Sequence, residues 1–404
     1  MSNVSFVEKL LDGVEVEWKS LGEVATLRRG RVMSKEFLAD NVGNFPVYSS
    51  QTANNGMIGS IDTFDFNGEF ISWTTDGANA GTVFYRTGKF SITNVCGLIK
   101  INNEAILNYK YLFYWLTIEA QKHVYSGMGN PKLMSHQVEK IPVPIPCPEN
   151  PEKSLEIQAE IVRILDAFTA MTAELTAELN MRKTQYNYYR EKLLSFADGD
   201  VEWKTLGEVA IVQRGASPRP IAKYITSDEN GIPWIKIGDT SPGSKFVNET
   251  AQKITPEGAK KSRVLSCGDF IISNSMSFGR PYILNIKGAI HDGWASISDF
   301  NETLNSDYLY HYLSSHTVQN YWASKINSGS VSNLNADIIK TLPIPIPELA
   351  TQKMIASTLD KFDALTNSIT EGLPREIELR QQQYEYYRDL LLSFPKPEPT
   401  QASA

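Results

Sequence analysis

Two segments of the chain carry apolar residues at alternating steps of three and four positions. The first stripe consists of Ile161, Ile164, Phe168, Met171 and Leu175. The second stripe includes Ile355, Leu359 and Phe362. This spacing puts the apolar side chains on one face of a helix and is typical of a coiled-coil seam. The pattern predicts two long helical segments, and at about 1.5 Å per residue a helix of roughly 40 residues is about 60 Å long.

Each stripe contains one irregularity. The first includes a literal duplication, TAELTAEL at 172–179, which introduces a four-residue stutter into the heptad pattern. The second contains Gly372 and Pro374, which we expect to kink or interrupt the helix. The two helical segments are therefore predicted to differ in continuity.

The remaining sequence predicts two mixed, strand-rich globular parts, each closed by an aromatic-rich helix. Residues 253–297 form a series of short β-prone runs separated by Gly, Pro, Asn and Asp. The closing helices are predicted at 109–126 and 307–324. Alternating prolines at 141–146 and 342–347 exclude helix and remove backbone donors. They predict an extended, edge-like exit from each globular part.

The chain repeats itself at long range. VEWKSLGEVA at 16–25 returns as VEWKTLGEVA at 201–210, and QYNYYREKLLSF at 185–196 returns as QYEYYRDLLLSF at 383–394. EKLL at 8–11 also echoes the end of the first helical segment. The repeated frame with divergent inserts predicts a duplicated α+β scaffold with two antiparallel coiled-coil spacers, an approximate two-fold axis and termini that lie close together.

These landmarks define the predicted segments. They are a first globular domain at 1–150, a first helical spacer at 151–199, a second globular domain at 200–347, a second helical spacer at 348–395 and a disordered tail at 396–404.

Composition and charge narrow the class of protein. The formal net charge is −7 and the excess acid lies in the helical segments, which leaves room for a local basic face on the globular domains. Three unclustered cysteines, Cys96, Cys147 and Cys267, favour a reducing compartment and free thiols. Neither a membrane-spanning apolar run nor a signal peptide is recognisable, so we expect a cytoplasmic protein.

The order of motifs along the chain resembles the specificity subunits of type I restriction–modification enzymes. The resemblance spans essentially the whole chain, and the TAEL duplication resembles the IC class of that family in particular. It is carried by the paired VEWKxLGEVA openings, GIPWIKIGDT at 231–240, GDFIISNSMSFGRP at 268–281, HDGWASI at 291–297, Gln158 and Gln352 after the proline-rich exits, and the LDxF and QYxYYR helices.

The resemblance implies that each globular domain is a target recognition domain that reads one half of a bipartite, asymmetric site in double-stranded DNA. It implies that the helices set the spacing between half-sites and dock two adenine methyltransferase subunits, which in turn join restriction (translocase) subunits. Methyl donor, ATP and magnesium are then expected only on those partners, so this chain has no cofactor of its own.

The residues themselves offer no catalytic motif. Adenine methyltransferases of such systems carry an Asn/Asp-Pro-Pro-aromatic motif, but here Asn130-Pro131 is followed by Lys132. No Walker A loop occurs, and His311 and His316, five apart on an aromatic helix, do not have metal-ligand spacing. We expect a non-catalytic subunit without a metal site.

Candidate DNA-contacting residues are basic or polar and lie in the divergent parts of each domain. Arginine suits both phosphate oxygens and guanine edges, and an asparagine amide can bind adenine through two hydrogen bonds. A solvated surface run and a turn-forming asparagine are the alternatives. The candidates are Arg28, Arg29, Arg31, Lys35, Thr74, Thr75, Asn79 and Lys132 in the first domain, and Arg214, Arg219, Lys260, Lys261, Arg263, Ser273, Asn274, Ser275 and Arg280 in the second.

Two other functions remain open from the sequence alone. The acidic balance is compatible with a non-enzymatic two-domain scaffold that binds proteins instead of DNA. An enzyme with unusual motifs is the other alternative. Steep salt dependence would favour DNA binding, because binding to DNA releases counterions.

Overall fold

The computed structural model describes residue 13 and residues 15–127, 129–197, 199–241, 243–274, 279–327, 333–368 and 370–395. The predicted tail at 396–404 and the echo at 8–11 lie outside the described residues. The chain divides into two compact units: one runs to Met171 and includes the chain from Arg380 onward, and the other comprises Thr172–Leu379. Each is an α+β structure, as the sequence predicted.

The described residues of the first unit form eight strands and four α-helices, besides its parts of the long helical segments. The strands are β1 (Val16–Ser20), β2 (Ala25–Arg29), β3 (Val42–Tyr48), β4 (Met57–Ile61), β5 (Phe66–Thr74), β6 (Val83–Ile92), β7 (Cys96–Ile101) and β8 (Pro142–Pro146). The helices are α1 (Leu21–Val24), α2 (Lys35–Asp40), α3 (Tyr109–Glu119) and α4 (Ser135–Val138).

Six of these strands form a mixed sheet in the order β2-β7-β5-β6-β3-β4, in which only the β3–β6 pair is parallel. Trp73 of β5 is buried across the β7 backbone, and its Nε1 donates to the carbonyl of Leu133 at 3.0 Å. A Cβ on Gly97 would lie 2.1 Å from the Trp73 ring, so the close approach of indole to strand requires glycine there.

The second unit begins within the long helix α5 (Pro151–Leu193), and its described residues form twelve strands. The strands are β9 (Glu202–Thr205), β10 (Ile211–Arg214), β11 (Ile225–Thr226), β12 (Ile232–Ile235), β13 (Phe246–Val247), β14 (Lys253–Ile254), β15 (Arg263–Leu265), β16 (Phe270–Ser273), β17 (Pro281–Leu284), β18 (Gly288–Ile290), β19 (Trp294–Ser298) and β20 (Pro343–Ile346). Its helices are α6 (Leu206–Val209), α7 (Pro256–Ala259), α8 (Ser306–Leu313), α9 (His316–Asn327) and α10 (Ala336–Lys340), followed by α11 (Leu349–Asn367) and α12 (Gly372–Leu391), the last of which continues into the first unit.

Two mixed five-stranded sheets hold this unit together, with the orders β10-β19-β16-β17-β13 and β11-β14-β12-β18-β15. Among the described strands of this unit, the parallel pairs are β13–β17 and β12–β18. The sheets leave Trp294 and Phe270 fully buried. The first of these sheets positions Asn274, directly after β16, and Asp292, shortly before β19.

The proline-rich exits are edge strands, which confirms the sequence prediction. Within the described part of the chain, β8 pairs with β1 and β20 pairs with β9, each in a two-stranded antiparallel ribbon. The repeated opening motif explains the other half of each ribbon: Glu23 and Glu208 accept from the backbone N–H groups of Ser20 and Thr205, each at 2.6 Å. These capping interactions end each strand in a helical turn.

The helical segments differ in continuity, as predicted. Helix α5 runs unbroken through the TAEL duplication. The second segment is divided between α11 and α12, and Gly372 has a φ of 75°, which is costly for other residues. Pro374 lies in the first turn of α12, where its missing N–H is tolerated.

Seam residues from both helical segments meet within each unit. In the first unit, Phe168 stacks on Tyr387 with ring centroids 5.4 Å apart. In the second unit, Tyr186 and Tyr189 stack on Phe362 at 6.1 and 5.7 Å. Side chains of the two predicted seams therefore contact each other in both units.

The closing helices are shorter than the sequence predicted. Helix α3 gives way to a 3₁₀ turn at Ala120–His123. The second predicted helix is split into α8 and α9, because the buried Ser315 caps α9 through a hydrogen bond from the Val318 N–H to its hydroxyl (3.3 Å). Cap-forming serines favour such breaks.

Near the ends of the described chain, Trp18 Nε1 donates to the carbonyl of Pro395 at 2.9 Å. None of the described helices is long and apolar enough to cross a bilayer.

Candidate functional site

A polar notch lies where β2 ends and β5 runs into its turn in the first unit. We define the first notch by Arg29, Thr75, Asp76, Asn94 and Lys132. Strand pairing brings these residues together. Arg29 at the end of β2 lies opposite Gly97, near the start of β7, and the turn that contains Asn94 leads into β7.

Hydrogen bonds organise the first notch around Arg29. Its Nη2 donates to the carbonyl of Asn94 at 2.6 Å and to Oγ1 of Thr75 at 3.3 Å. Thr75 Oγ1 donates in turn to Oδ2 of Asp76 at 2.6 Å, and Lys132 Nζ lies 4.0 Å from Asp76 Oδ1. Polar groups and two cations thus converge at one edge of the sheet.

The second unit has a corresponding notch, defined by Arg214, Asn274, Asp292 and Asn333. Arg214 Nε donates to the carbonyl of Asp292 at 3.2 Å, and Asn274 Nδ2 lies 3.4 Å from the same oxygen. These residues line an open cavity of about 480 Å³.

The Asp292 carboxylate is held by its own partners. Ser217 donates to its Oδ1 at 2.7 Å, and Arg219 Nη2 lies 3.4 Å from its Oδ2. The Ser217 hydrogen bond, supplemented by the charges of His291 and Arg219, keeps the pKa of Asp292 below its ordinary value. The carboxylate therefore stays ionised and accepts hydrogen bonds only.

Backbone contacts show that the two notches occupy equivalent places. The N–H of Thr75 donates to the carbonyl of Val95 at 3.1 Å, as that of Asn274 does to Gly293 at 3.1 Å. A second backbone hydrogen bond also repeats. The N–H of Leu133, which follows Lys132, donates to the Thr75 carbonyl at 2.9 Å, and the N–H of Leu334, which follows Asn333, donates to the Asn274 carbonyl at 3.3 Å. The frame is the same while the side chains differ.

The other candidates in the first unit are scattered around this notch. Arg28 and Lys35 are exposed on β2 and at the start of α2. Arg31 forms an ion pair with Asp65 (2.9 Å). Thr74 is fully buried with its hydroxyl bonded to the carbonyl of Asn79, whose own Nδ2 lies 3.4 Å from the Ser50 carbonyl.

In the second unit, Arg219 is exposed beside the notch, with 82% of its side chain accessible. Lys260 is exposed beside α7, and Lys261 contacts the Tyr224 hydroxyl, which raises the pKa of the lysine. The half-buried Arg263 lies on β15, and its Nε has no hydrogen-bond partner among the described residues.

Three further candidates lie at the end of β16 or beyond it. Ser273 is buried at the end of the strand. Ser275 lies outside the described residues. Arg280 packs over the ring of Tyr282 at 5.6 Å and lines a different cavity that Tyr186 also borders. The structure thus joins Arg214, Arg219 and Asn274 but not Arg280.

Sequence reasoning missed three residues that hold the nominated side chains in the notches. Asn94 and Asp292 lie in turns and Ser217 lies in a loop, and their role becomes visible only after strand pairing. It also missed Arg86, which is 3% exposed, donates to the carbonyl of Asn55 at 2.8 Å and thereby fixes a polar surface turn. An HDG turn directly before a β-prone run was the available signal for Asp292.

Among the described residues, no group of three or more His, Cys, Asp or Glu side chains is arranged to hold a metal ion.

Comparison with known proteins gives one family. The model for the type I restriction modification DNA specificity domain matches twice, at residues 13–182 and 199–379. The chain is 40% identical to the EcoR124I/EcoR124II specificity subunit of Escherichia coli, covering 98% of this chain and 99% of that protein. It is 36% identical to a putative type I restriction enzyme specificity subunit of Haemophilus influenzae, covering 97% and 99%.

Solved structures agree on the fold. The S subunit of a type I restriction–modification system from M. genitalium aligns with a TM-score of 0.57 at 14% identity, over 96% of this chain and 98% of that one. At that identity the likeness concerns the fold alone.

Proposed function

The chain belongs to the family of type I restriction enzyme specificity subunits, and we propose that each of its two globular parts reads one half of a bipartite, asymmetric DNA target. The observation that carries this assignment is the pair of notches, which share a backbone frame but differ in side chains. A duplicated reader of two different half-sites requires such a constant frame with variable contact groups.

The chemistry of the notches suits a DNA groove. Arg29 and Arg214 each satisfy a backbone carbonyl with part of the guanidinium, which fixes the planar group and leaves other N–H donors for phosphate or guanine. The exposed cations nearby are suited to contacts with DNA phosphates, and they include Arg28, Lys35 and Arg219. Such contacts fix the position of the protein along the duplex without reading the base sequence.

Catalysis is assigned to partner subunits. Support for this comes from two relatives, 40% and 36% identical to this chain, which are named as specificity subunits. Methyl donor, ATP and magnesium would accordingly be bound by methyltransferase and restriction subunits.

Equivalent exposed aromatics provide a candidate surface for two methyltransferase subunits. Tyr188 on α5 is 60% exposed and packs edge-to-face on Tyr189, and Tyr386 on α12 is 65% exposed and packs likewise on Tyr387. Large exposed aromatics at repeated positions are typical of protein interfaces. One methyltransferase would bind at each position.

The deciding experiment is a methylome of cells that express this chain together with the methyltransferase of its system. We expect an asymmetric split motif with a fixed gap, and its loss when this chain is omitted. A stable complex that methylates no such motif would favour a protein-binding scaffold. A continuous methylated motif would contradict reading by two separate domains.

The spacing role can be tested in the same assay by removing one TAEL unit, residues 176–179. Four residues of helix correspond to about 6 Å, or one to two base-pair steps. We expect a shorter gap with unchanged half-sites, whereas the length-preserving control Thr176→Ala should leave the gap as it was. Altered half-sites would contradict the spacer assignment.

A further inference from the structure

The second notch contains a hydrogen-bond acceptor without a donor. Asn274 is only 9% exposed, and within the described part of the chain its Oδ1 has no hydrogen-bond partner. Its Nδ2 is directed at the carbonyl of Asp292, 3.4 Å away. Buried polar atoms are almost always paired, so an unpaired amide oxygen points to a group that binds there.

The surroundings define what that group can be. Asn274 lies in the cavity bordered by Arg214 and Asp292, and the rim at Arg214 and Asn333 is exposed. An amide oxygen needs an N–H or O–H donor. The donors that DNA presents in its major groove are the exocyclic amino groups of adenine (N6) and cytosine (N4).

The first notch differs at this point. Thr75 takes the place of Asn274, and its hydroxyl is already bonded to Asp76 and Arg29. Lys132 stands where the second unit has Asn333. The unpaired acceptor is therefore a property of the second notch.

We infer that Oδ1 of Asn274 accepts a hydrogen bond from the exocyclic amino group of one adenine or cytosine in the second half-site. This assignment rests on the proposed function of the chain. The two-bond recognition of adenine that the sequence suggested for Asn274 is not available, since Nδ2 is directed at the Asp292 backbone. The preference is for an amino group, and the rest of the base must be read by other groups.

The test uses the complex of this chain with its methyltransferase subunits and duplexes that carry its methylome-defined target. Each adenine of the second half-site is replaced in turn by purine, and each cytosine by pyrimidin-2-one, because these analogues lack the exocyclic amino group. We expect about tenfold weaker binding at one position, and which analogue produces it identifies adenine or cytosine.

The assignment to Asn274 comes from repeating the series with two variants. Asn274→Ala and Asn274→Leu both remove the acceptor, and the leucine does so with a side chain of similar size. In both complexes the loss at that one position should disappear, while losses at other positions persist. The matched control Thr75→Ala should retain the tenfold loss.

An analogue profile that is the same in wild type and in both variants would overturn the inference and leave water as the partner of Oδ1. If neither variant assembles, the wild-type series decides, because a series without a tenfold loss also overturns it. A wild-type complex that recognises no split target is a separate result, which refutes the proposed function itself.

Discussion

An aspartate joins a long helix to its closing helix in both units, but the partners of that aspartate differ. In the first unit, Asp166 accepts hydrogen bonds from the Tyr114 hydroxyl at 2.7 Å and from Lys110 Nζ at 2.5 Å. Both donors come from α3. This joint uses an uncharged phenol and one cation.

In the second unit the corresponding aspartate, Asp360, lies 2.9 Å from Nε2 of the fully buried His311 and 2.7 Å from Lys245 Nζ. Nδ1 of His311 is 3.1 Å from the Tyr186 hydroxyl. An imidazole ring therefore replaces the phenol, and the lysine comes from a different part of the chain. The position of the aspartate is constant while its partners have changed.

A second joint is the same in both units. The fully buried side chains of Gln158 and Gln352 accept from the N–H groups of Asn108 and Asn305 at 2.8 and 2.7 Å. Gln158 also donates to the carbonyl of Ile106 at 2.8 Å, and Gln352 donates to the carbonyl of Thr303 at 3.0 Å; each carbonyl lies two residues before the asparagine. A hydrogen bond from a side chain to the backbone can be kept when neighbouring side chains change, because every residue supplies a backbone carbonyl. A hydrogen bond between two side chains requires both residues to be retained.

The largest expected effect is on this shared joint. Gln158→Leu and Gln352→Leu should each destabilise their own unit by about 2–4 kcal/mol, because a buried N–H and a buried carbonyl lose their partners. Hydrogen exchange resolved by peptide measures the loss unit by unit. Lys153→Leu and Lys353→Leu, exposed neighbours on the same helices, are the controls. Losses that differ widely between the units would show that the joint is not equivalent.

A smaller and unequal effect is expected at the tryptophans of the repeated opening motif. Trp18 bonds to the Pro395 carbonyl and packs edge-to-face on Trp115 at 5.6 Å, whereas Trp203 is 42% exposed. Trp18→Ala should cost about 2 kcal/mol and Trp203→Ala less than about 1 kcal/mol, in proportion to the packing each loses. Chemical denaturation of both variants tests the difference, and equal costs would argue against it.

The aspartate joint of the second unit predicts a pH dependence. Burial raises the pKa of Asp360, but the hydrogen bonds from His311 and Lys245 outweigh it and leave the pKa below the ordinary value. A carboxylate with a lowered folded-state pKa stabilises the fold above its unfolded-state pKa, near pH 4, and loses that contribution as the pH falls through the folded-state value.

Asp360→Asn should therefore cost about 1 kcal/mol at pH 7, a figure reduced for solvent screening because 38% of the side chain is exposed. The difference from wild type should shrink below about pH 4. Denaturation midpoints between pH 3 and pH 7 measure this. Asp337→Asn, which removes an ion pair with an 88% exposed carboxylate, should cost less than 0.5 kcal/mol. A difference that grows on acidification would contradict the assignment.

The smallest effect concerns thiol reactivity and leaves stability unchanged. Burial raises the pKa of the Cys96 thiol to about 11, so almost none of it is thiolate at pH 8. Cys267 is exposed. Maleimide labelling followed by peptide mapping should modify Cys267 first and Cys96 last, and comparable rates would show that the first unit opens readily.

Local features of the sequence were sufficient to predict the scaffold. Helical periodicity predicted the seams that place Phe168 against Tyr387, alternating prolines predicted the edge ribbons, and Gly372 marked the break between α11 and α12. Each of these properties depends on residues within a few positions of one another. The type of these scaffold elements was therefore encoded locally, and the repeat predicted that each would occur in both units.

The grouping of side chains was decided only by the tertiary structure. Arg29 meets Asn94 across 65 positions, and Arg214 meets Asp292 across 78, because strand pairing and register bring them together. The same packing buried Thr74 and paired Arg31 with Asp65. Composition can nominate basic and polar residues, but burial and long-range pairing determine which of them keep a free hydrogen-bonding group, as Asn274 does.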